Sequence, residues 1–192
     1  MRAGAVGLIR VVGGALRGRR IAVPDRGVRP TSERTREAIF DLLGPDRVPG
    51  ARVLDLYAGT GALGIEALSR GAASADFVEK DPAAARRLAE TLAKLGLSEV
   101  ARVHRADLDG GELPEDAAGP WEIVFLDPPY AGGAGAKWLA ALAEGGWEAG
   151  EGLVIHERAR ATPAAAPEGL SLWKERTYGD TTVAIYRRGG GV

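Results

Sequence analysis

The sequence predicts an α/β fold in which a doubly wound, mostly parallel sheet is closed by an antiparallel C-terminal hairpin and preceded by a small hairpin and helix. Three observations predict it. From residue 51 onward, short β-prone runs alternate with stretches of helical periodicity, as in the strand–helix–strand units of a parallel sheet. The first of those runs passes directly into a glycine-rich turn, Ala58-Gly59-Thr60-Gly61-Ala62-Leu63-Gly64. The last two runs instead flank Tyr178-Gly179-Asp180, which has the composition of a hairpin turn.

In chain order, residues 8–12 (Leu-Ile-Arg-Val-Val) and 19–23 (Arg-Arg-Ile-Ala-Val) are β-prone and flank Gly13, Gly14 and Gly18, which predicts a hairpin with its arginines along one ribbon. Pro30-Thr31-Ser32 starts a helix whose apolar stripe is Ala38, Ile39, Leu42 and Leu43, and Gly44 stops it. The regular part then reads as strand 52–56, helix 63–70, strand 75–79, helix 82–95, strand 101–105 and strand 122–126. A buried-type strand at 153–156 follows, then an Ala/Pro connector over 159–167 and two strands, 170–176 and 181–186. This predicts a basic extension over 1–44, a main domain over 45–188 and a flexible tail over 189–192.

With 192 residues, 45% of them hydrophobic, the chain has material for one proper core. No Cys is present, which excludes disulfides, thiolate metal sites and every mechanism built on a Cys nucleophile. No run approaches 18 apolar residues, so a soluble, cytoplasmic protein is expected, and the Gly-rich, β-branched start lacks the amphipathic helix of a transit peptide. Asn and Gln are absent and Arg outnumbers Lys 21 to 4, a profile that fits a thermophilic source or GC-rich coding.

The net charge of -1 hides an asymmetry: residues 1–36 carry +7 and the remaining 156 carry -8. A basic block ahead of an acidic body predicts a polyanionic partner for the first block, with a merely solvated arm as the alternative. Arg10, Arg17, Arg19, Arg20, Arg29, Arg34 and Arg36 are the candidate phosphate contacts. Arg34 and Arg36 fall in the first turns of a helix, where cations oppose the macrodipole unless an anion is near.

Gly59, Gly61 and Gly64 fit a dinucleotide fingerprint, and Glu79, 20 residues past Gly59, stands where a ribose-binding acid belongs. That is a Rossmann-like arrangement for a nucleoside-containing cofactor. Two features favour S-adenosylmethionine. Asp55, at the tip of the first strand, would repel a pyrophosphate but attract the ammonium of a methionine moiety beside a sulfonium. The tetrapeptide Asp127-Pro128-Pro129-Tyr130 directly follows strand 122–126, at the end of the sheet where ligands bind.

Methylating an exocyclic purine amine requires its delocalised lone pair to be localised on nitrogen. The Asp127 side chain and the Pro128 carbonyl can accept the two amine hydrogens, while consecutive prolines stiffen the loop. Tyr130 offers a stacking face worth roughly 1–3 kcal/mol, comparable to the cost of extruding a base. Tyr57, Thr60 and Lys80 lie in the same cofactor segments. Asp107 can accept from an adenine amine with Leu108 against the ring, or it can simply cap a helix. His104 and His156 show no metal-ligand spacing, so no metal is expected. Glu157 beside His156 would suit a hydrolase, but no G-x-S-x-G elbow occurs and Ser69 falls mid-helix.

Together, the Asp55–Gly64 loop, Glu79, Asp107 and Asp127-Pro128-Pro129-Tyr130 resemble the class I S-adenosylmethionine-dependent methyltransferases. A narrower resemblance is carried by Arg10-Val11-Val12-Gly13-Gly14, Arg17-Gly18-Arg19, Arg29-Pro30-Thr31, Arg34-Thr35-Arg36-Glu37 and Glu66-Ala67-Leu68-Ser69-Arg70-Gly71-Ala72, which are similar to the RsmD-type methyltransferases of bacterial small-subunit ribosomal RNA. Glu33 stands where that pattern expects Asp. The resemblance implies methylation of one guanine at N2, with the Asp127-Pro128-Pro129-Tyr130 loop engaging the base and the N-terminal region helping to hold RNA; the expected product is S-adenosylhomocysteine, the expected partner small-subunit RNA, free or in a ribosomal particle, and the expected state a monomer. The residues alone leave N6 of adenine in DNA or RNA equally open. A dinucleotide-dependent oxidoreductase and a non-catalytic RNA-binding protein are the other readings.

Overall fold

The structure, a computed structural model, describes residues 7–23, 32–110, 112–117, 119–129, 133–145, 147–163 and 166–188, apart from the side chains of 148–150. Arg29, the Pro30-Thr31 helix start, Tyr130 and the 189–192 tail lie outside the described residues. A two-stranded antiparallel ribbon, β1 (Gly7–Arg10) and β2 (Arg20–Val23), opens the chain with Arg10 facing Arg20. Helix α1 (Glu33–Leu43) follows. Ser32 caps it by accepting the Thr35 N–H at 3.0 Å, and Gly44 ends it.

The main sheet is built from β3 (Arg52–Leu56), β4 (Ser74–Val78), β5 (Ala101–His104), β6 (Trp121–Leu126), β7 (Glu148–Ala159), β8 (Leu170–Tyr178) and β9 (Thr181–Arg188). Its order is β5-β4-β3-β6-β7-β9-β8, parallel from β5 to β7, with β9 antiparallel to β7 and to β8. The crossovers carry α2 (Ala62–Ser69), α3 (Pro82–Leu95) and α4 (Ala134–Glu144). Helix α3 has the predicted bounds because its signals are local: Asp81 accepts the Ala84 N–H at 2.6 Å, Pro82 opens the first turn, and Gly96 closes it in the left-handed conformation.

Alternation along the strands divides the interior into two layers. Val53, Phe77, Phe125, Ile155 and Ile185 face one core, which also takes Ile39 and Phe40 of α1, Ile65 of α2 and Leu88 of α3. Leu54, Leu56, Val78, Val124 and Leu126 face the other, packed by Trp138, Leu139 and Leu142 of α4. Helix α4 was not among the predicted elements. Its Trp138, Leu139 and Leu142 stripe is helical in spacing, but Gly133 caps it without a side chain and its first turn is Ala-Gly-Ala. The strand predicted at 153–156 is also longer, because β9 pairs with β7 out to Ala159. The first hairpin's strands are shorter than predicted because the chain between them leaves the ribbon to dock on α2.

That docking hangs on one buried carboxylate. Glu66 of α2, 1% exposed, accepts the Val12 and Gly13 N–H groups at 2.8 and 2.7 Å and the Arg70 Nε–H at 2.9 Å. Ser69 Oγ donates to the Gly13 carbonyl at 2.5 Å and accepts the Leu16 N–H at 2.9 Å. Gly14, at φ +74°, packs so closely that a Cβ would lie 1.8 Å from the Ser69 carbonyl oxygen. Glu66→Gln removes the charge that answers Arg70 and turns an N–H toward donors. It should cost about 2 kcal/mol, read as a fall in Tm of about 4–8 °C.

Candidate active site

Strand β3 has β4 on one side and β6 on the other, so the crossovers leave in opposite directions and a crevice opens at the carboxyl ends of these strands. A cleft of about 890 Å³ lies there. Its volume is in the upper range for small-molecule sites. One half is formed by the tips of β3 and β4 and the segment after β5. The other is formed by the tips of β6 and β7, the β8–β9 turn and the first turn of α1.

In the first half, Asp55 is 2% exposed and its Oδ2 accepts the Gly64 N–H at 2.9 Å. It thereby caps α2, whose own N-cap, Gly61, has no side chain to offer. Burial pushes the Asp55 carboxyl up to about 8, with the Gly64 hydrogen bond opposing the shift and the charges of Asp127 and Glu79 adding to it. Tyr57 turns the chain at φ 60°, a conformation that non-glycine residues seldom take. Glu79 is fixed by two backbone donors at 2.8 Å, the Gly59 N–H on Oε2 and the Asp81 N–H on Oε1. Thr60, Leu108 and the aliphatic wall of Ala58 and Val78 complete this half.

Other predicted residues serve the frame. Gly61 has φ 71°, and a Cβ there would stand 2.4 Å from Leu88 Cδ1, while one on Gly64 would stand 2.3 Å from Phe77. These two glycines let α2 approach the sheet and α3. Asp107 is exposed and does not line the cleft: its Oδ1 accepts the Asp109 N–H at 3.0 Å, the capping alternative, at the single 3-10 turn Leu108–Gly110. Lys80 lines the cleft with its ammonium 3.1 Å from Asp109, and that pairing raises its pKa.

In the second half, Asp127, half-buried, and buried Pro128 follow β6 into the cleft wall, with Pro129 exposed beside them. Sequence reasoning missed their neighbours. Glu157, 7% exposed, lines the cleft from β7, and Tyr178, Gly179, Asp180 and Thr181 line it from the β8–β9 turn. Ser32 and Thr35 reach it from α1. Alternation carried one strand position past Ile155 and His156 is the signal that could have flagged Glu157, whereas the turn arrives only through the antiparallel return of β9. His156 packs under α4, where a Cβ on Gly135 would stand 2.5 Å from its Nε2, and burial lowers its pKa to about 4. His104 sits 2.9 Å from buried Asp76.

Of the predicted phosphate contacts, Arg17, Arg19, Arg20 and Arg34 are exposed, and Arg10 is exposed and paired with Glu33 at 3.0 Å. Arg34 stands in the same first turn of α1 as cleft-lining Ser32 and Thr35. Arg36 corrects the prediction: it is 1% exposed and donates to the Arg10 carbonyl at 2.6 Å, so its guanidinium joins α1 to the ribbon inside the protein. Burial lowers its pKa, and the charges of Glu66 and Glu33 oppose that shift.

The family model described as conserved hypothetical protein 95 matches residues 9–187. Over 184 residues the chain is 38% identical to ribosomal RNA small subunit methyltransferase D of Escherichia coli K12, covering 95% of this chain and 91% of that protein. The chain belongs to this methyltransferase family. The protein of the same name from Haemophilus influenzae is 33% identical over 186 residues, with 95% of each chain covered. The solved structure of the E. coli methyltransferase candidate YhhF superposes with a TM-score of 0.83 at 38% identity, over 95% of this chain and 98% of that one. The solved structure of a hypothetical protein from Thermus thermophilus gives a TM-score of 0.74 at 32% identity, over 92% and 98%. The family's match from residue 9 places the ribbon and α1 within its shared architecture.

Proposed function

We propose that this methyltransferase uses S-adenosylmethionine to methylate the exocyclic N2 of a guanine in small-subunit ribosomal RNA. The observation that carries the reading is the acidic lining of the cleft: Glu79, Asp127 and Glu157 stand at the strand tips, beside Asp55, which can ionise to meet a bound cation. A pyrophosphate would be repelled there, whereas a sulfonium and an ammonium would be attracted. The same site therefore disfavours a dinucleotide. The names of the relatives support ribosomal RNA as the substrate class.

When bound, S-adenosylmethionine supplies an electrophilic methyl on a sulfonium that leaves as a neutral thioether. The chain's residues do the rest. Asp55 holds the ammonium, Glu79 the ribose hydroxyls, and Tyr57, Gly59 and Thr60 shape the backbone around the ligand. Leu108 packs on the purine, and Lys80 steadies the adjoining loop. Asp127 and the Pro128 carbonyl accept the amine hydrogens and keep the nitrogen lone pair available, while Pro129 and Tyr130 complete the base-holding loop. These residues would hold the guanine N2 in line with the bound methyl group, and the proton that the methylated amine gives up would pass to the Asp127 carboxylate or to water. Holding both partners at near-attack distance removes much of the barrier.

The exposed arginines of the ribbon and α1 are proposed to hold the RNA backbone near the cleft mouth. Replacing Arg17, Arg19 and Arg20 together with alanine should weaken RNA binding and flatten its dependence on log salt by up to about 3 in slope, measured by titration at several salt concentrations. The function itself is tested by incubating the protein with methyl-labelled S-adenosylmethionine and unmodified small-subunit RNA, free and in particles, then digesting to nucleosides. Label in N2-methylguanosine is expected. Label in N6-methyladenosine would overturn the base assignment, and no label in RNA would overturn the substrate.

A further inference from the structure

We propose that Glu157 reads the N1–H of the target guanine and so sets the base specificity of the cleft. The inference rests on the guanine reading above and goes beyond it, because Asp127 and Pro128 grip any exocyclic amine equally well.

The placement follows from register. Phe125 of β6 faces Ile155 of β7, and Leu126 faces His156, so the next residues are Glu157 on β7 and Asp127, which directly follows the end of β6. Phe125 and Ile155 point into the same core, and strand alternation puts Glu157 on that same face two residues further on, next to the β6 end from which Asp127 enters the cleft wall. Both line the cleft, in the half away from Gly59 and Glu79. Glu157 lines the cleft and is 7% exposed, so it is shielded from bulk water.

Two neighbouring carboxylates make an edge that only accepts hydrogen bonds. Among the bases with an exocyclic amine, guanine alone carries a ring N–H next to that amine: its N1–H and N2–H groups form a continuous row of donors. Adenine sets its N6 amine beside the N1 lone pair, and cytosine sets its N4 amine beside the N3 lone pair. With the amine on Asp127, guanine gives Glu157 a donor, whereas adenine or cytosine would set a lone pair against a buried carboxylate. A carboxylate can accept more than one hydrogen bond, so it can take the N1–H whatever else it contacts, whereas a lone pair set against it is repelled in a site shielded from water. An extruded base is read along just this Watson–Crick edge.

The test uses 2-aminopurine, which keeps the 2-amino group but has a lone pair in place of the N1–H. Once the labelled nucleotide is known, substrate RNA carrying guanine or 2-aminopurine at that position is assembled by ligation, and kcat/KM is measured for wild type, Glu157→Gln and Glu157→Asp. Wild type is expected to prefer guanine by about 10²-fold or more. Glu157→Gln, whose amide can donate to the N1 lone pair, should narrow the preference to within about tenfold with cofactor affinity unchanged. Glu157→Asp should lose rate but keep the preference. An unchanged preference in Glu157→Gln, or no preference in wild type, would overturn the proposal. Absence of N2-methylguanosine from ordinary RNA with wild type would instead overturn the underlying function, so the two failures are distinguishable.

Discussion

Asp127→Ala is expected to lower the methylation rate by about 10²- to 10³-fold while leaving S-adenosylmethionine affinity within a few-fold of wild type. The asymmetry follows from the site. Asp127 stands at the β6 tip, in the half of the cleft proposed to take the base, whereas the residues proposed to hold the cofactor come from β3, β4 and the turn after β5. Removing its carboxylate leaves the amine with the Pro128 carbonyl alone, and the lone pair drifts back into the ring in the ground state. Asp127→Asn separates two versions of this role. Its amide oxygen still accepts one amine hydrogen, so if orientation is the main contribution the variant should retain activity within about tenfold of wild type. If Asp127 must also take the departing proton, the asparagine variant falls as far as the alanine one. Single-turnover rates with saturating cofactor distinguish these outcomes, and full turnover by Asp127→Ala would refute the assignment.

What the sequence disclosed depends on how local each cause is. Helix α3 was legible to the residue because Asp81, Pro82 and Gly96 carry its start and stop within its own span. The strand–turn–helix around Gly59 was legible for the same reason, and so were Asp55, Glu79 and Asp127 at the strand tips, since a parallel sheet brings its carboxyl ends together. Distant contacts were not legible. Charge pattern placed Arg36 on the surface, but its guanidinium is taken up by a carbonyl 26 residues earlier in the chain. Glu66 lies in a motif that resemblance flagged, yet its role as the buried acceptor for Val12 and Gly13 requires the docking of two separate segments. The β8–β9 turn enters the cleft because β9 pairs antiparallel with β7, a register that no local signal specifies. The strand tips and the helices with their own caps were therefore written in short-range signals, and the docking of the ribbon and the β8–β9 wall of the cleft in long-range ones.

Asp55→Asn should make the cofactor-free protein more stable in alkali and the cofactor complex weaker. Buried against the Gly64 N–H, with Asp127 and Glu79 adding repulsion, the Asp55 carboxyl is pushed up to about 8. Its folded-state pKa lies above the unfolded value of roughly 3.9, so its favourable contribution is complete below about pH 4 and is lost as pH rises through about 8. Asparagine keeps an oxygen for Gly64 and cannot ionise. At pH 9 the cofactor-free variant should therefore melt above wild type by about 8–16 °C more than at pH 5, equivalent to roughly 4 kcal/mol. The balance reverses when a cation binds. At pH 7 wild-type Asp55 must shed its proton to meet the ammonium, so binding should release a proton, visible as a dependence of calorimetric heat on the ionisation enthalpy of the buffer. The variant has no proton to release and no charge to offer, and its affinity should fall by about 10²-fold, some 2.7 kcal/mol. Unchanged affinity with the same gain in alkaline stability would mean that Asp55 serves α2 as a cap and leaves the ammonium to other groups.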